Sequence, residues 1–228
     1  KIIPFAVSAA SRDRALAAAR ADAPLVRIAP YRLRKIALIS TMLPGLAGKV
    51  VDKTLKITAD RLAPAGAAIV FEKRIPHDRD ALAPVLGEAI RAGAEMVIVF
   101  GASAIADRRD VIPSAIEAAG GRIEHFGMPV DPGNLMLVAE LGGCPVLGAP
   151  GCARSPKENG FDWVLSRLLC GLPITREQIA GMGVGGLLME IVTRPQPRES
   201  VEQPGRQVAA IVLAAGRSSR MGGPNKLL

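Results

Sequence analysis

Apolar residues fall along this chain in blocks whose period switches between strand and helix. KIALIS at 35–40 is a continuous apolar run of strand length. From Lys49 to Leu62 the apolar positions, Leu55 and Leu62 among them, recur at helical spacing until Pro64 and Gly66 stop the pattern. AAIVFEKRI at 67–75 predicts a second strand, and a helix follows Asp78 and Asp80 and ends at Gly93. EMVIVFG at 95–101 is a third strand, apolar enough to be buried on both faces. A loop then leads to Asp110, at the head of a helix closed by Gly120-Gly121. Shorter strands follow at 122–126, 135–140 and 145–149, and a helix from about Glu158 to Leu169 closes the unit. Upstream, a short strand and an Ala/Arg-rich helix from Arg12 to about Ala21 precede Pro24 and Pro30. Downstream, IVTRPQPRESVEQPGR at 191–206 has no periodicity and reads as a linker, after which QVAAIVLAAG opens a new buried strand.

Strands alternating with helices across short connections imply right-handed crossovers. The expected fold is therefore α/β: a mostly parallel sheet sandwiched between helices, in three layers. In such sheets ligands sit beyond the carboxyl ends of the strands, which singles out the loops after Ser40, Phe100 and Leu147. The chain divides into 1–30 as the tail of an upstream segment, 31–190 as a complete domain, 191–206 as the linker and 207–228 as the truncated start of a second domain. The opening on Lys1 rather than Met supports the first of these expectations.

Composition narrows the chemistry. With aromatics at 3% against 49% hydrophobic residues, the core must be aliphatic. A net charge of +8 favours anionic partners such as phosphates and nucleotides. Nucleic acid is not expected, because one Tyr and one Trp leave little on which to stack bases. Cys144, Cys152 and Cys170 form no CxxC pair, which excludes a disulfide framework and fits a reducing, cytoplasmic location. His77 and His125 are too isolated for a metal cluster, and no apolar run is long enough to cross a membrane.

Two loops carry residues suited to binding. In GASAIADRRDVIPSAI (101–116), Gly101, Ala102, Ser103 and Ala104 allow a ligand close to the backbone, and Asp107 and Asp110 flank Arg108 and Arg109. Asp110 is either a helix cap or a carboxylate holding Mg²⁺ on a phosphate. In GAPGCARSPKENGFDWVLSRLL (148–169), Gly148, Pro150 and Gly151 form a tight turn. Arg154, Ser155, Lys157 and Asn159 then offer donors at a helix start, suited to a phosphate or a pterin-like heterocycle. Cys152 reads as a bystander thiol. Asp78 is a helix cap or a second acidic ligand, and GMGVGG at 181–186 reads as a turn.

The run from Lys35 to Ile191 resembles the molybdopterin-binding domain of molybdenum-cofactor biosynthesis proteins, on the strength of GASAIADRRDVIP and GAPGCARSPKENGFDW. That family's first loop is usually richer in glycine before its Arg-Asp pair; here Arg109-Asp110 is intact but Gly101-Ala102-Ser103-Ala104 precedes it. The second loop usually reads Pro-Gly-Asn-Pro, where this chain has Pro150-Gly151-Cys152-Ala153. The resemblance implies pterin binding more strongly than catalysis. It places Asp110 at the Mg²⁺–phosphate position, Asp78 at a second acidic position, and Gly101, Ser103, Gly151, Ser155 and Lys157 at ligand contacts. Family members form dimers or trimers, so a homo-oligomer is expected.

LAAGRSSRMGGPNKLL (213–228) is not a P-loop, since neither its glycine spacing nor its ending fits. It resembles the opening signature of nucleotidyltransferases. Ala214, Ala215 and Gly216 would cradle a triphosphate, with Arg220 and Lys226 facing the leaving pyrophosphate. Beside a pterin-binding domain, this implies a cytidylyltransferase that moves CMP from CTP to molybdopterin. The alternative is a non-catalytic binding or oligomerisation module attached to a cytidylyltransferase of another pathway, such as that of methylerythritol phosphate. The chain stops at Leu228, so the 228 residues are not expected to act as a transferase themselves.

Overall fold

The apolar blocks assemble into one sheet. In the computed structural model, which describes residues 6–20, 28–45 and 47–183, the strands are β1 (Lys35–Met42), β2 (Ala68–Pro76), β3 (Met96–Phe100), β4 (Arg122–Phe126), β5 (Leu137–Leu141) and β6 (Cys144–Ala149). The sheet order is β2-β1-β3-β6-β5-β4. β1 pairs in parallel with β2 and β3, and β3 pairs in parallel with β6. β5 is antiparallel to both of its neighbours, so it alone is reversed. A two-residue turn makes that reversal: Gly142 and Gly143 stand at φ +58° and +82° between the paired ends Leu141 and Cys144. Both central residues of this hairpin type need positive φ, which glycine adopts without steric cost.

The helices are α1 (Ala9–Arg20), α2 (Gly48–Leu62), α3 (Arg79–Arg91), α4 (Val111–Ala118), α5 (Gly160–Leu169) and α6 (Arg176–Ala180). Helices α2 and α5 cover one face of the sheet, and α3 and α4 the other. Ile36, Leu38, Met96, Ile98 and Phe100 share one core with Leu62 of α2 and Phe161, Val164 and Leu165 of α5. The intervening Ala37, Ile39, Val97 and Val99 share the other with Leu82, Val85 and Leu86 of α3 and Ile112 and Ile116 of α4. Strands buried on both faces cannot alternate apolar with polar, which is why β1 and β3 read as unbroken apolar runs. The three-layer α/β architecture expected from the sequence is the one observed.

Local chemistry sets the boundaries. Asp78 Oδ1 accepts the Asp80 and Ala81 N–H groups, both at 2.9 Å, and so starts α3. Asn159 and Asp162 form a reciprocal capping box that starts α5 at Gly160 rather than at Glu158. α1 begins three residues before the expected Arg12, because the Ser8 side chain accepts the Ser11 N–H. No described helix is long and apolar enough to cross a membrane. The strand expected near the chain's start lies largely outside the described residues, as do the linker at 191–206 and the segment 207–228, including Ala214, Ala215, Gly216, Arg220 and Lys226.

Candidate functional site

The carboxyl ends of β2, β1 and β3 lie side by side, and the loops leaving them and β6 carry the residues singled out above. Gly101 ends the pairing of β3 and turns the chain sharply. A Cβ at this position would lie 2.6 Å from the Ser103 carbonyl oxygen, so the turn requires glycine. Ser103 follows on the exposed surface. Its Oγ is 2.8 Å from Nε2 of His77, just past β2, whose Nδ1 is 2.7 Å from Oγ1 of the fully buried Thr41 on β1. Thr41 Oγ1 also accepts the Ala102 N–H at 2.9 Å. Burial pushes the His77 pKa below the ordinary imidazole value, against an opposing pull from Asp110, which favours the neutral ring.

Asp110 occupies the N-cap position of α4, as expected, but its side chain makes no capping hydrogen bond there. Its Oδ2 turns back into the loop and accepts the N–H groups of Ala106 and Asp107, at 2.7 and 2.8 Å. Asp107 in turn accepts from the Arg109 N–H and guanidinium, which hold its carboxyl below the usual carboxylate range. Arg109 is therefore paired within the loop and does not reach inward.

The loop after β6 is held differently. Gly151–Arg154 forms a 3₁₀ turn, and Arg61 of α2 reaches across to it. The Arg61 guanidinium donates to the carbonyls of Ala153 and Ser155, at 2.7 and 2.5 Å, and to Asp162 Oδ1 at 2.6 Å. Arg154 points the other way. It donates to Thr54 Oγ1 at 2.8 Å and to the Gly101 carbonyl at 3.0 Å, with its guanidinium 5.0 Å from the centre of the Phe100 ring. It thereby ties the second loop to the first. Burial lowers its pKa, and among the described residues no carboxylate pairs with it.

Two expected contacts are changed by these bonds. Asn159 is not a ligand donor: it is buried and spends its side chain on the Phe161 N–H and the Lys157 carbonyl. Asp78 is exposed and spends Oδ1 on starting α3. Ser155 accepts the Lys157 N–H at 3.3 Å, and the Lys157 side chain stays exposed. Gly151 is exposed, and a Cβ there would meet nothing. Burial raises the Cys152 thiol pKa, as befits a bystander. His77 and Thr41, which the sequence did not bring into the site, are joined to it by hydrogen bonds to Ser103 and to the Ala102 N–H. The described residues contain no group of three or more His, Cys, Asp or Glu suited to holding a metal.

A second cavity, of about 720 Å³, lies at the amino ends of the strands, beside Leu33, Glu95, Pro145 and Ile174. The Glu95 carboxylate there accepts the Arg34 and Lys35 N–H groups. The hydrogen-bonded cluster of Thr41, His77, Ser103 and Arg154 lies at the opposite end of the sheet, beyond the carboxyl ends of the strands, and is the candidate site.

The tungsten-cofactor-synthesizing protein MoaB of Pyrococcus furiosus is 21% identical, with a TM-score of 0.43 over 60% of this chain and 93% of that one. The molybdopterin biosynthesis enzyme MoaB of a Thermus species is 16% identical, with a TM-score of 0.42 over 62% and 99%. The molybdopterin biosynthesis MoeA protein of Pyrococcus horikosii is 20% identical, with a TM-score of 0.40 over 67% of this chain; only 37% of that protein's length is covered. No curated protein matches the sequence. Residues 35–169, more than half of the chain, match the family model described as a probable molybdopterin binding domain, and both loops lie within that span. The chain belongs to the molybdopterin-binding domain family of molybdenum-cofactor biosynthesis.

Proposed function

We propose that residues 31–190 bind molybdopterin at the paired loops 101–110 and 150–159, and that the protein carrying this domain transfers CMP from CTP to the bound pterin, releasing pyrophosphate. The observation that carries the binding half is Arg154. A half-buried guanidinium with only neutral partners has lost hydration without gaining a counter-charge, and an anionic ligand between the two loops would supply one. Gly101, Ser103, Gly151, Ser155 and Lys157 line the same approach. The transfer half is supported by the nucleotidyltransferase-like signature from Ala214 to Lys226, at the start of a second domain beginning at 207.

Asp110 fits Mg²⁺ in part. Oδ2 is committed to two N–H groups, while Oδ1 makes no hydrogen bond among the described residues. One free carboxylate oxygen suits an ion that takes most of its ligands from water and phosphate. Bound there, Mg²⁺ would supply positive charge to the phosphate oxygens. The exposed Asp78 accepts only through Oδ1 among the described residues and retains Oδ2 for a supporting role. By the same resemblance the protein is a homo-oligomer, dimer or trimer, which sedimentation velocity checks, and its cysteine usage fits a cytoplasmic location.

Calorimetric titration of the 228-residue protein with molybdopterin tests the reading. Binding in the micromolar range is expected, weakened at least about tenfold in Arg154→Met, as loss of a charge-assisted contact requires. An absence of binding at micromolar concentrations sinks it. Chelating Mg²⁺ should weaken binding to wild type and leave Asp110→Asn unaffected. The CMP transfer is tested by turnover of the longer protein with CTP and molybdopterin, and methylerythritol phosphate as the competing acceptor.

A further inference from the structure

Three strand ends hold one chain of hydrogen bonds. His77 follows β2, Thr41 lies near the end of β1, and Ser103 sits just past β3. In the sheet β1 lies between β2 and β3, so the order of the three strands puts these residues within reach of one another. His77 is fixed there by its own N–H, which donates to the Met42 carbonyl at 2.8 Å.

The direction of the chain follows from counting protons. Thr41 Oγ1 accepts the Ala102 N–H, so its single proton is free to donate. Two acceptors compete for that proton: His77 Nδ1 at 2.7 Å and the Phe100 carbonyl at 3.5 Å. The shorter contact wins, because hydroxyl bonds cluster near about 2.7–2.8 Å and fade towards 3.5 Å. Nδ1 is then the acceptor of a neutral imidazole, and Nε2 must carry its proton. Nε2–H donates to Ser103 Oγ at 2.8 Å, leaving the Ser103 proton with no protein acceptor among the described residues.

We infer that Thr41 and His77 form a relay that fixes Ser103 as an outward-pointing hydrogen-bond donor for an oxyanion, specifically a phosphate oxygen of the ligand. The inference rests on the reading of these loops as a ligand site. Each bond in such a chain polarises the next, so the last hydroxyl is a better donor than an isolated serine. The nearby Arg154, without a carboxylate partner, favours the same class of ligand. His77 is a positioning residue here: it acts through Ser103.

The tautomer can be read without any ligand. Long-range ¹H–¹⁵N spectra of the labelled 228-residue protein at neutral pH should show His77, identified by its loss in His77→Gln, protonated on Nε2 and bare on Nδ1. Protonation on Nδ1 overturns the inference. Titration with inorganic phosphate then tests the donor. Ser103→Ala and His77→Leu should each weaken binding about tenfold or more. His77→Gln should stay within about threefold of wild type, because its amide can accept from Thr41 and donate to Ser103. Equal phosphate affinity in wild type, Ser103→Ala and His77→Leu overturns the inference, as does an absence of phosphate binding to wild type. A parallel titration with molybdopterin separates the two readings. Phosphate binding of the expected pattern without molybdopterin binding keeps the relay and ends the proposed function. Molybdopterin binding unaffected by Ser103→Ala does the reverse.

Discussion

The two loops of the candidate site are built on opposite plans. The loop after β3 spends its side chains on itself: Asp110 holds the Ala106 and Asp107 N–H groups, and Asp107 holds Arg109. The loop after β6 is gripped from outside, by Arg61 on its carbonyls and by its own Arg154 reaching to Gly101. The first plan leaves Ser103 as a side-chain contact that the sheet below it orients. The second fixes a backbone path and leaves Lys157 free at the surface. A ligand between them meets one loop shaped by its sequence and one shaped by its neighbours.

That contrast breaks most severely at Arg61. The Arg61 side chain is only 10% exposed, and Arg61→Leu would orphan Asp162 and two loop carbonyls together. Removing one partner of a buried ion pair costs about 3–5 kcal/mol, so urea unfolding should show a loss of that size, with ligand binding lost as well. Gly101→Ala should come next. Its Cβ would lie 2.6 Å from a backbone oxygen, which must shift, and overpacking of this kind costs about 1–3 kcal/mol in the same measurement.

A smaller effect should follow pH through His77. Its folded pKa is depressed by burial, so its contribution to stability is complete above the unfolded value of 6.5 and is lost as pH falls from there through the folded pKa. The groups facing the ring are Thr41, Ser103 and Asp110, and of these Asp110 opposes the shift. Stability of His77→Gln should therefore change less with pH below 6.5 than that of wild type; equal slopes would remove His77 from the account. The smallest effect belongs to Gly151→Ala. Nothing lies within contact of the added carbon, and stability should stay within about 0.5 kcal/mol of wild type. A large loss there would mean that the second loop is also shaped by its own sequence.

How far the sequence revealed this follows the same division. β1 and β3 were legible because burial on both faces leaves unbroken apolar runs, and helix ends were legible from Asp78, Gly93 and Gly120. The loops after Phe100 and Leu147 followed from the parallel alternation alone. His77 stands too isolated in the sequence to suggest a metal cluster, and 26 positions separate it from Ser103. Only the strand order, with β1 inserted between β2 and β3, brings them together, and no local pattern encodes that order. Asn159 looked like a ligand donor because a helix-capping amide and a ligand-binding amide are the same residue type at the same place. The reversal of β5 was carried by Gly142-Gly143, a hairpin signal lying between two short runs already read as strands.

Arg61 has one further consequence. It recognises the loop after β6 through main-chain carbonyls, which every amino acid possesses. The identities of Pro156 and Lys157, both exposed, are thereby uncoupled from the shape of the path they follow. Selection, natural or in the laboratory, can exchange these two side chains while drawing little on the stability of the domain. The arginine on α2 makes that stretch a place where new specificities can be tried at low risk to folding.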